Sequence, residues 1–283
     1  MLGGVIGGAF GSMFVRIWIS DLSTSSWLWI CFLMGTVVAG IALAAGRLVD
    51  RTGSRPAPQR AVVQINSSSP ALEGARLVVR SRYLLSIAGI VGLYEIVSTI
   101  LDYQFTSTVA YYLRGPAIGQ HISGVFALTN IISLVVQLFL TSLVMTRYGL
   151  TVALLVLPAA ILTGSAIYVA APVLWTGSLL STADNSFNYS INQSAKEALY
   201  VPTTADEKYK AKAFIDMFGQ RFAKAVAVFV SLGLTSFSDF SATRWLSGLS
   251  IALALLWLYA ARYAGSRFRE VTHQGPAAAR QQG

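Results

Sequence analysis

Runs of about 20 apolar residues recur along nearly the whole chain, and each is long enough as a helix to cross the roughly 30 Å hydrocarbon layer of a bilayer. Strands that cross membranes alternate polar with apolar residues, and these runs do not, so helices are expected throughout. Composition agrees. Of 283 residues, 54% are hydrophobic and only 12% charged, which is too little polar side chain to coat a soluble globule of this size. The fold class expected is therefore all-α, a polytopic membrane helix bundle of about eight transmembrane helices. Hydropathy places the spans at Gly3 to Ile19, Trp27 to Ala45, Tyr83 to Leu101, Ile122 to Met145, Thr151 to Ala171, Leu174 to Gln193, Phe218 to Thr235 and Trp245 to Tyr263.

Charge in the connectors orients these spans. Arg47, Arg51, Arg55, Arg60, Arg76, Arg80 and Arg82 crowd one connector, Arg147 follows the fourth span, and every lysine lies between Lys196 and Lys224. The tail adds Arg267, Arg269 and Arg280. The alternate connectors hold few cations, Arg114 and Arg244, with Arg16 near the outer end of the first span. Such alternation is what the positive-inside rule expects, and it puts both termini in the cytoplasm. The excess of 21 basic over 12 acidic residues is then an orientation signal, and nucleic acid is not an expected partner. Four segments follow: 1–45, two transmembrane helices; 46–82, a cytoplasmic Arg-rich linker; 83–263, a six-helix bundle; and 264–283, a cytoplasmic tail.

Several chemistries have no residues to support them. Cys31 is the lone cysteine, and His121 and His273 stand far apart, so neither a disulfide framework nor a metal site is expected. No nucleophile and base pair, cofactor loop or Walker motif is visible, so neither an enzyme nor a cofactor is expected. Met1 to Phe10 lacks a basic n-region and reads as the start of a span, not a cleaved signal peptide. Its glycines, Gly3, Gly7 and Gly11 with Gly4 and Gly8, strip one helix face for close packing, static or moving.

Polar side chains inside the spans are the candidate functional groups, because a charge at membrane depth costs several kcal/mol unless paired or wetted. Glu95, Thr99 and Asp102 share one face of the third span, with Gly92 a turn before them. Asn130, Ser133 and Gln137 do the same in the fourth without charge. The sixth is the most polar: Asp184, Asn188 and Asn192 step by four, Asn185 and Gln193 lie beside them, and Lys196 follows a turn later. Such faces either hold the bundle together by interhelical hydrogen bonds or bind a solute.

After the sixth span the chain reads Glu197-Ala198-Leu199-Tyr200-Val201-Pro202, where Pro202 should end a helix; Thr204 and Glu207 have the spacing of a capping box that starts the next. Lys208, Lys212, Asp216, Arg221 and Lys224 then climb a helix entering the seventh span, with Lys210 pointing elsewhere into water. Read from composition, this is either an orientation-setting basic loop or a cationic approach to a polyanion. The Glu197 to Pro202 run, the spaced lysines, Ile215-Asp216 with Arg221 and Lys224, and Leu101-Asp102-Tyr103-Gln104-Phe105 resemble the signature region of the bacterial and plastid-type ATP/ADP translocases.

That resemblance implies a major-facilitator-like fold in a bacterial inner membrane and a nucleotide as small-molecule substrate. It implies that Lys196, Arg221 and Lys224 offer cations to phosphates, that Asp184, Asn188 and Asn192 contact ribose, base or neighbouring helices, and that Glu95 and Asp102 gate or couple. Against two six-helix halves, about four leading spans have no counterpart, so a second chain supplying helices is a further expected partner. Gly46 to Arg55, with Asp50 and Arg51, resembles the cytoplasmic gate motif of major facilitators or is a plain interfacial arginine cluster. Two other functions stay open: proton-coupled transport of another small solute through Glu95 or Asp184, and a transport-inactive membrane scaffold subunit.

Overall fold

The computed structural model describes residues 2–51, 70–203, 205–235 and 242–280, and all regular structure among them is helical. These residues form nine helices. In order they are α1 (Leu2–Trp18), α2 (Thr24–Arg51), α3 (Pro70–Arg80), α4 (Arg82–Tyr112), α5 (116–148), α6 (Gly149–Ala170), α7 (174–199), α8 (205–235) and α9 (Ala242–Arg280). Each of the eight expected spans falls on one of them. The ninth, α3, lies within the Arg-rich linker, where no helix was expected.

By length and composition, five stretches can cross a membrane: Thr24–Val49, Arg82–Tyr112, Pro116–Ala170, Lys208–Thr235 and Thr243–Glu270. The third, at 55 residues, would run roughly 80 Å as one helix, more than twice the hydrocarbon thickness. It breaks at Gly149, whose φ of 80° is left-handed and favours glycine, so α5 and α6 are separate passes. The chain is a multi-pass membrane protein.

The chain divides into two compact units, residues 17–68 and residues 1–16 with 69–283. Within the first, α2 is exposed at every position from Cys31 to Val49, as suits an apolar helix with lipid for a solvent.

In the second unit α4 packs against α7, α8 and α9; α9 also lies along α6, and α5 and α6 both pack on α7. Ile87, Ile90 and Val97 of α4, Leu154, Leu157 and Ile161 of α6, and Trp257 of α9 form the fully enclosed centre. Lipid is as apolar as these side chains, so dispersion and close fit hold them, not expulsion of water. Local chemistry sets the helix ends. Ser81 caps α4 by accepting from the Leu84 N–H at 3.3 Å, and Pro116 opens α5. α7 ends at Leu199, whose carbonyl accepts the Tyr83 hydroxyl at 2.5 Å, and Pro202 follows within three residues, as expected. Thr204 and the Glu207 side chain lie outside what the structure describes, so the expected capping box does too. α8 begins at Ala205 and runs unbroken into the seventh span, as expected.

Without ending the helix, the hydrogen-bond pattern changes locally from α to π in α5, α7 and α8. α7 carries a π-helical turn at Asn188–Asn192 and α8 one at Ile215–Gly219. Each inserts a residue into the helical repeat and re-aims the side chains beyond it.

Candidate functional site

Three helices, α4, α7 and α8, enclose a cavity of about 370 Å³ with an almost wholly polar lining. That volume lies at the lower end of the roughly 300–1,000 Å³ typical of small-molecule sites. From α4 come Tyr94, Glu95, Ser98, Thr99 and Asp102; from α7, Asn185, Asn188, Tyr189, Gln193 and Lys196; from α8, Gln220 and Lys224. Helical spacing explains the first group, since residues 95, 98, 99 and 102 fall on one face of an α-helix. The π turn of α7 lets Asn185, Asn188 and Gln193 all reach the same opening.

The charged groups inside are unequal. Lys224 Nζ lies 3.4 Å from Glu95 Oε2, the carboxylate enclosed and the lysine more than half exposed. Lys196 is buried, 8% exposed, with its ammonium 4.9 Å above the Tyr94 ring. Among the described residues it makes no ion pair within 4 Å; Glu95, Asp184, Glu197 and Asp216 act on it only at longer range. The quadrupole of an aromatic face gives a cation modest support and leaves its hydrogen-bond donors free for an incoming anion.

Asp184 is fully buried behind this lining. Ser98 Oγ donates to its Oδ2 at 2.7 Å, while its Oδ1 has no donor among the described residues. Asn192 is also buried, and its amide donates to Asn188 Oδ1 at 3.0 Å, so it orients a cavity-lining side chain without lining the cavity. The structure thus gathers Lys196, Lys224, Asn188, Glu95 and Asp102 around one space, with Asp184 and Asn192 supporting it. Arg221 stands apart, exposed, one position round the helix from Gln220. Asp50 and Arg51 close α2, and their side chains lie outside what is described.

Of the remaining polar stripe, Asn130 lies off the three-helix cavity; it faces α1, where a Cβ at Gly8 would come within 2.9 Å of its Oδ1. Gly3, Gly4, Gly7 and Gly11 have no such neighbour, so the glycine-stripped face makes its tight contact at one point.

Two lysines of the basic segment serve structure. Lys212 Nζ donates to both carboxylate oxygens of Glu197, at 2.6 and 2.7 Å, clamping the start of α8 to the end of α7. Lys210, expected to stay in water, instead lies 3.2 Å from Glu73 of α3. α3 is a short helix that packs on the first part of α8 and brings an acid alongside Lys210. Tyr94, Ser98, Tyr189 and Gln220 were not among the expected site residues. Ser98 and Tyr94 sit one position from Glu95 or one turn from it, which is the signal that would have found them.

The family model described as TLC ATP/ADP transporter matches residues 22–176 and 171–268. The chain is similar to ADP,ATP carrier protein 2 of Chlamydia trachomatis, 25% identical over 274 residues that cover 85% of this chain and 50% of that protein. Similar too are ADP,ATP carrier protein 1 of Chlamydia muridarum (24% over 212 residues; 67% and 40%) and the plastidic ATP/ADP-transporter of Solanum tuberosum (23% over 233 residues; 75% and 37%). The chain therefore spans half or less of the length of these relatives. No solved structure matches it. The two matched stretches run from before α2 through most of α9 and take in every residue that lines the three-helix cavity, and on that extent of agreement the chain belongs to the TLC ATP/ADP transporter family.

Proposed function

We propose that this chain is a transporter of the ATP:ADP antiporter type, and that the cavity between α4, α7 and α8 receives the phosphates of a nucleotide by alternating access. One observation carries the reading: Lys196, a buried cation that makes no direct ion pair among the described residues, opens onto a polar cavity of small-molecule size. Burying an unpaired charge costs several kcal/mol, and an anionic ligand is what would offset that cost. The relatives' names supply the class of anion.

In this mechanism Lys196 makes the first charge-assisted contact with phosphate oxygens. In this account Lys224 makes a second by turning from Glu95, 3.4 Å away, so arrival of the phosphates exchanges one ion pair for another and frees Glu95. A freed carboxylate at membrane depth is costly, which ties the state of the site to binding and gives Glu95 its gating role. Asn188, held by Asn192, and Asp184, reached through Ser98, would shape the wall for ribose or base. Arg221 would guide anions from the surface and make no lasting contact. Helices α4 to α9 form one six-helix half in this account, and the facing wall comes from another six-helix unit, covalently continuous with this chain or on a second chain. The protein sits in a bacterial inner membrane with both termini cytoplasmic, which places Lys196 and the start of α8 at the cytoplasmic end.

Exchange in proteoliposomes tests this. Labelled ATP outside should enter against ADP inside, and collapse of the proton gradient by an uncoupler should leave the rate unchanged. Uptake abolished by the uncoupler would replace exchange by proton coupling, and no exchange with both halves present would remove nucleotide transport altogether.

A further inference from the structure

Arg16 is a cation that the cavity of α4, α7 and α8 does not use. It lies in the last turn of α1 and lines a second cavity, of about 650 Å³, together with residues from α5, the end of α4 and the start of α7. Its guanidinium rests on α5 at Gly124; a Cβ there would collide with Nη1, so that position seats the arginine. No carboxylate lines the cavity, and Arg16 has no acidic partner among the described residues. His121 stands beside it. Ser178 spends its hydroxyl hydrogen on the Leu174 carbonyl, so His121 Nε2 donates to Ser178 Oγ at 2.8 Å and the ring is held in the wall. Leu113, Val125 and Leu128 make the other side apolar.

The level of this cavity in the membrane can be read from the aromatic residues. Tyr111, Tyr112 and Trp175 are exposed at the same end of the bundle, and exposed Tyr and Trp mark the headgroup level of a bilayer. Trp175 and Lys196 lie at opposite ends of α7, roughly 30 Å apart along it, so the two cavities belong to opposite faces of the membrane. A guanidinium fork at headgroup level, with an apolar wall beside it, matches a phosphodiester attached to an acyl chain.

We propose that this cavity is a lipid site: Arg16 binds the headgroup phosphate of a phospholipid from the leaflet at that end, and the acyl chain lies along Leu113, Val125 and Leu128. The site differs from an arginine that merely reaches into bulk headgroups, because its specificity depends on the seat at Gly124 as well as on the charge.

Native mass spectrometry of the purified full chain, with phosphatidylglycerol added in mild detergent, tests it. One lipid should remain bound, and diacylglycerol, which lacks the phosphate, should not. Arg16→Gln should lower occupancy by about tenfold or more, as expected for loss of a charge-assisted contact. Gly124→Leu keeps the charge but fills its seat, and should do the same; Gly124→Ala serves if the larger side chain prevents folding. Arg114→Gln should leave occupancy unchanged, since Arg114 lies at the same end but donates to the Ala110 and Leu113 carbonyls. Undiminished binding in Arg16→Gln, or equal loss in all these variants, would overturn the proposal. Displacement of the lipid by ATP or inorganic phosphate would overturn the lipid assignment and make this a site for a soluble phosphate.

Discussion

Replacing Lys196 by methionine separates two quantities that most mutations change together. The side chain is 8% exposed and makes no direct ion pair among the described residues, so the ligand-free protein bears a desolvation cost that Glu95, Asp184, Glu197 and Asp216 offset only from a distance. Methionine keeps a flexible apolar stem of similar reach against Tyr94 and removes that cost. It loses a cation–π contact of about 0.5–2 kcal/mol and the longer-range attraction of Glu95, Asp184, Glu197 and Asp216. These terms oppose each other, so the melting temperature should change little. Nucleotide binding should behave differently. A hydrogen bond to a charged group contributes about 1.5–3 kcal/mol, so the dissociation constant should rise by about ten- to a hundredfold. Thermal unfolding in detergent and equilibrium binding of labelled ADP, measured on the same preparation, give both numbers. A large fall in melting temperature with unchanged affinity would show that Lys196 is a packing residue, and the reading of the cavity would fail with it.

Lys224→Met should destabilise the protein by on the order of 1 kcal/mol, because it leaves the enclosed Glu95 carboxylate unpaired; exposure of Lys224 to solvent limits the effect. Adding Glu95→Gln should restore most of that loss, and a double-mutant cycle that shows no coupling would remove the ion pair from the account. At the seam between α3 and α8, Gly74→Val should cost about 1–3 kcal/mol, since a Cβ there would sit 2.6 Å from the Lys210 carbonyl oxygen. Lys210→Ala, which breaks an ion pair about one-third exposed, should cost less than about 1 kcal/mol; the reverse order, read by thermal unfolding, would show that α3 is held by charge and not by fit. For orientation, a reporter active only in the cytoplasm should be on when fused after Arg60, Arg147 or Lys208 and off after Asp21, Arg114 or Asp239. A silent fusion at Lys208 would put the cavity's cationic end on the other side of the membrane.

The helices were legible because a bilayer imposes a length, and apolar runs of that length announce themselves without knowledge of partners. The acidic face of α4 was legible for a similar reason: Glu95, Thr99 and Asp102 keep α-helical spacing, and the structure places all three on the cavity. Arg221 shows where this logic stops. It and Lys224 lie three apart and share a face loosely, but the cavity takes Gln220 and Lys224, four apart, and leaves Arg221 exposed. A π turn at Ile215–Gly219 sets which face that is, and nothing in Ile215-Asp216-Met217-Phe218-Gly219 marks the extra residue. α3 escaped notice because eleven residues in a charged linker carry too few apolar positions for a span, and its seat depends on a contact with α8 that only the fold creates. With it went the partner of Lys210. Tyr94 was hidden for another reason: in an apolar helix an aromatic ring reads as lipid-facing or core, and its role beneath the Lys196 ammonium appears only when α4 and α7 are side by side.

Equilibrium binding of labelled ATP to the purified protein, repeated across a series of salt concentrations, tests the central claim most directly. If Lys196 and Lys224 receive phosphates, ATP should bind, affinity should fall steadily as salt rises, and inorganic tripolyphosphate should compete. Arg221→Gln should have little effect beside Lys196→Met. Absence of ATP binding with the facing six-helix unit present, or binding that ignores both salt and Lys196→Met, would contradict the account.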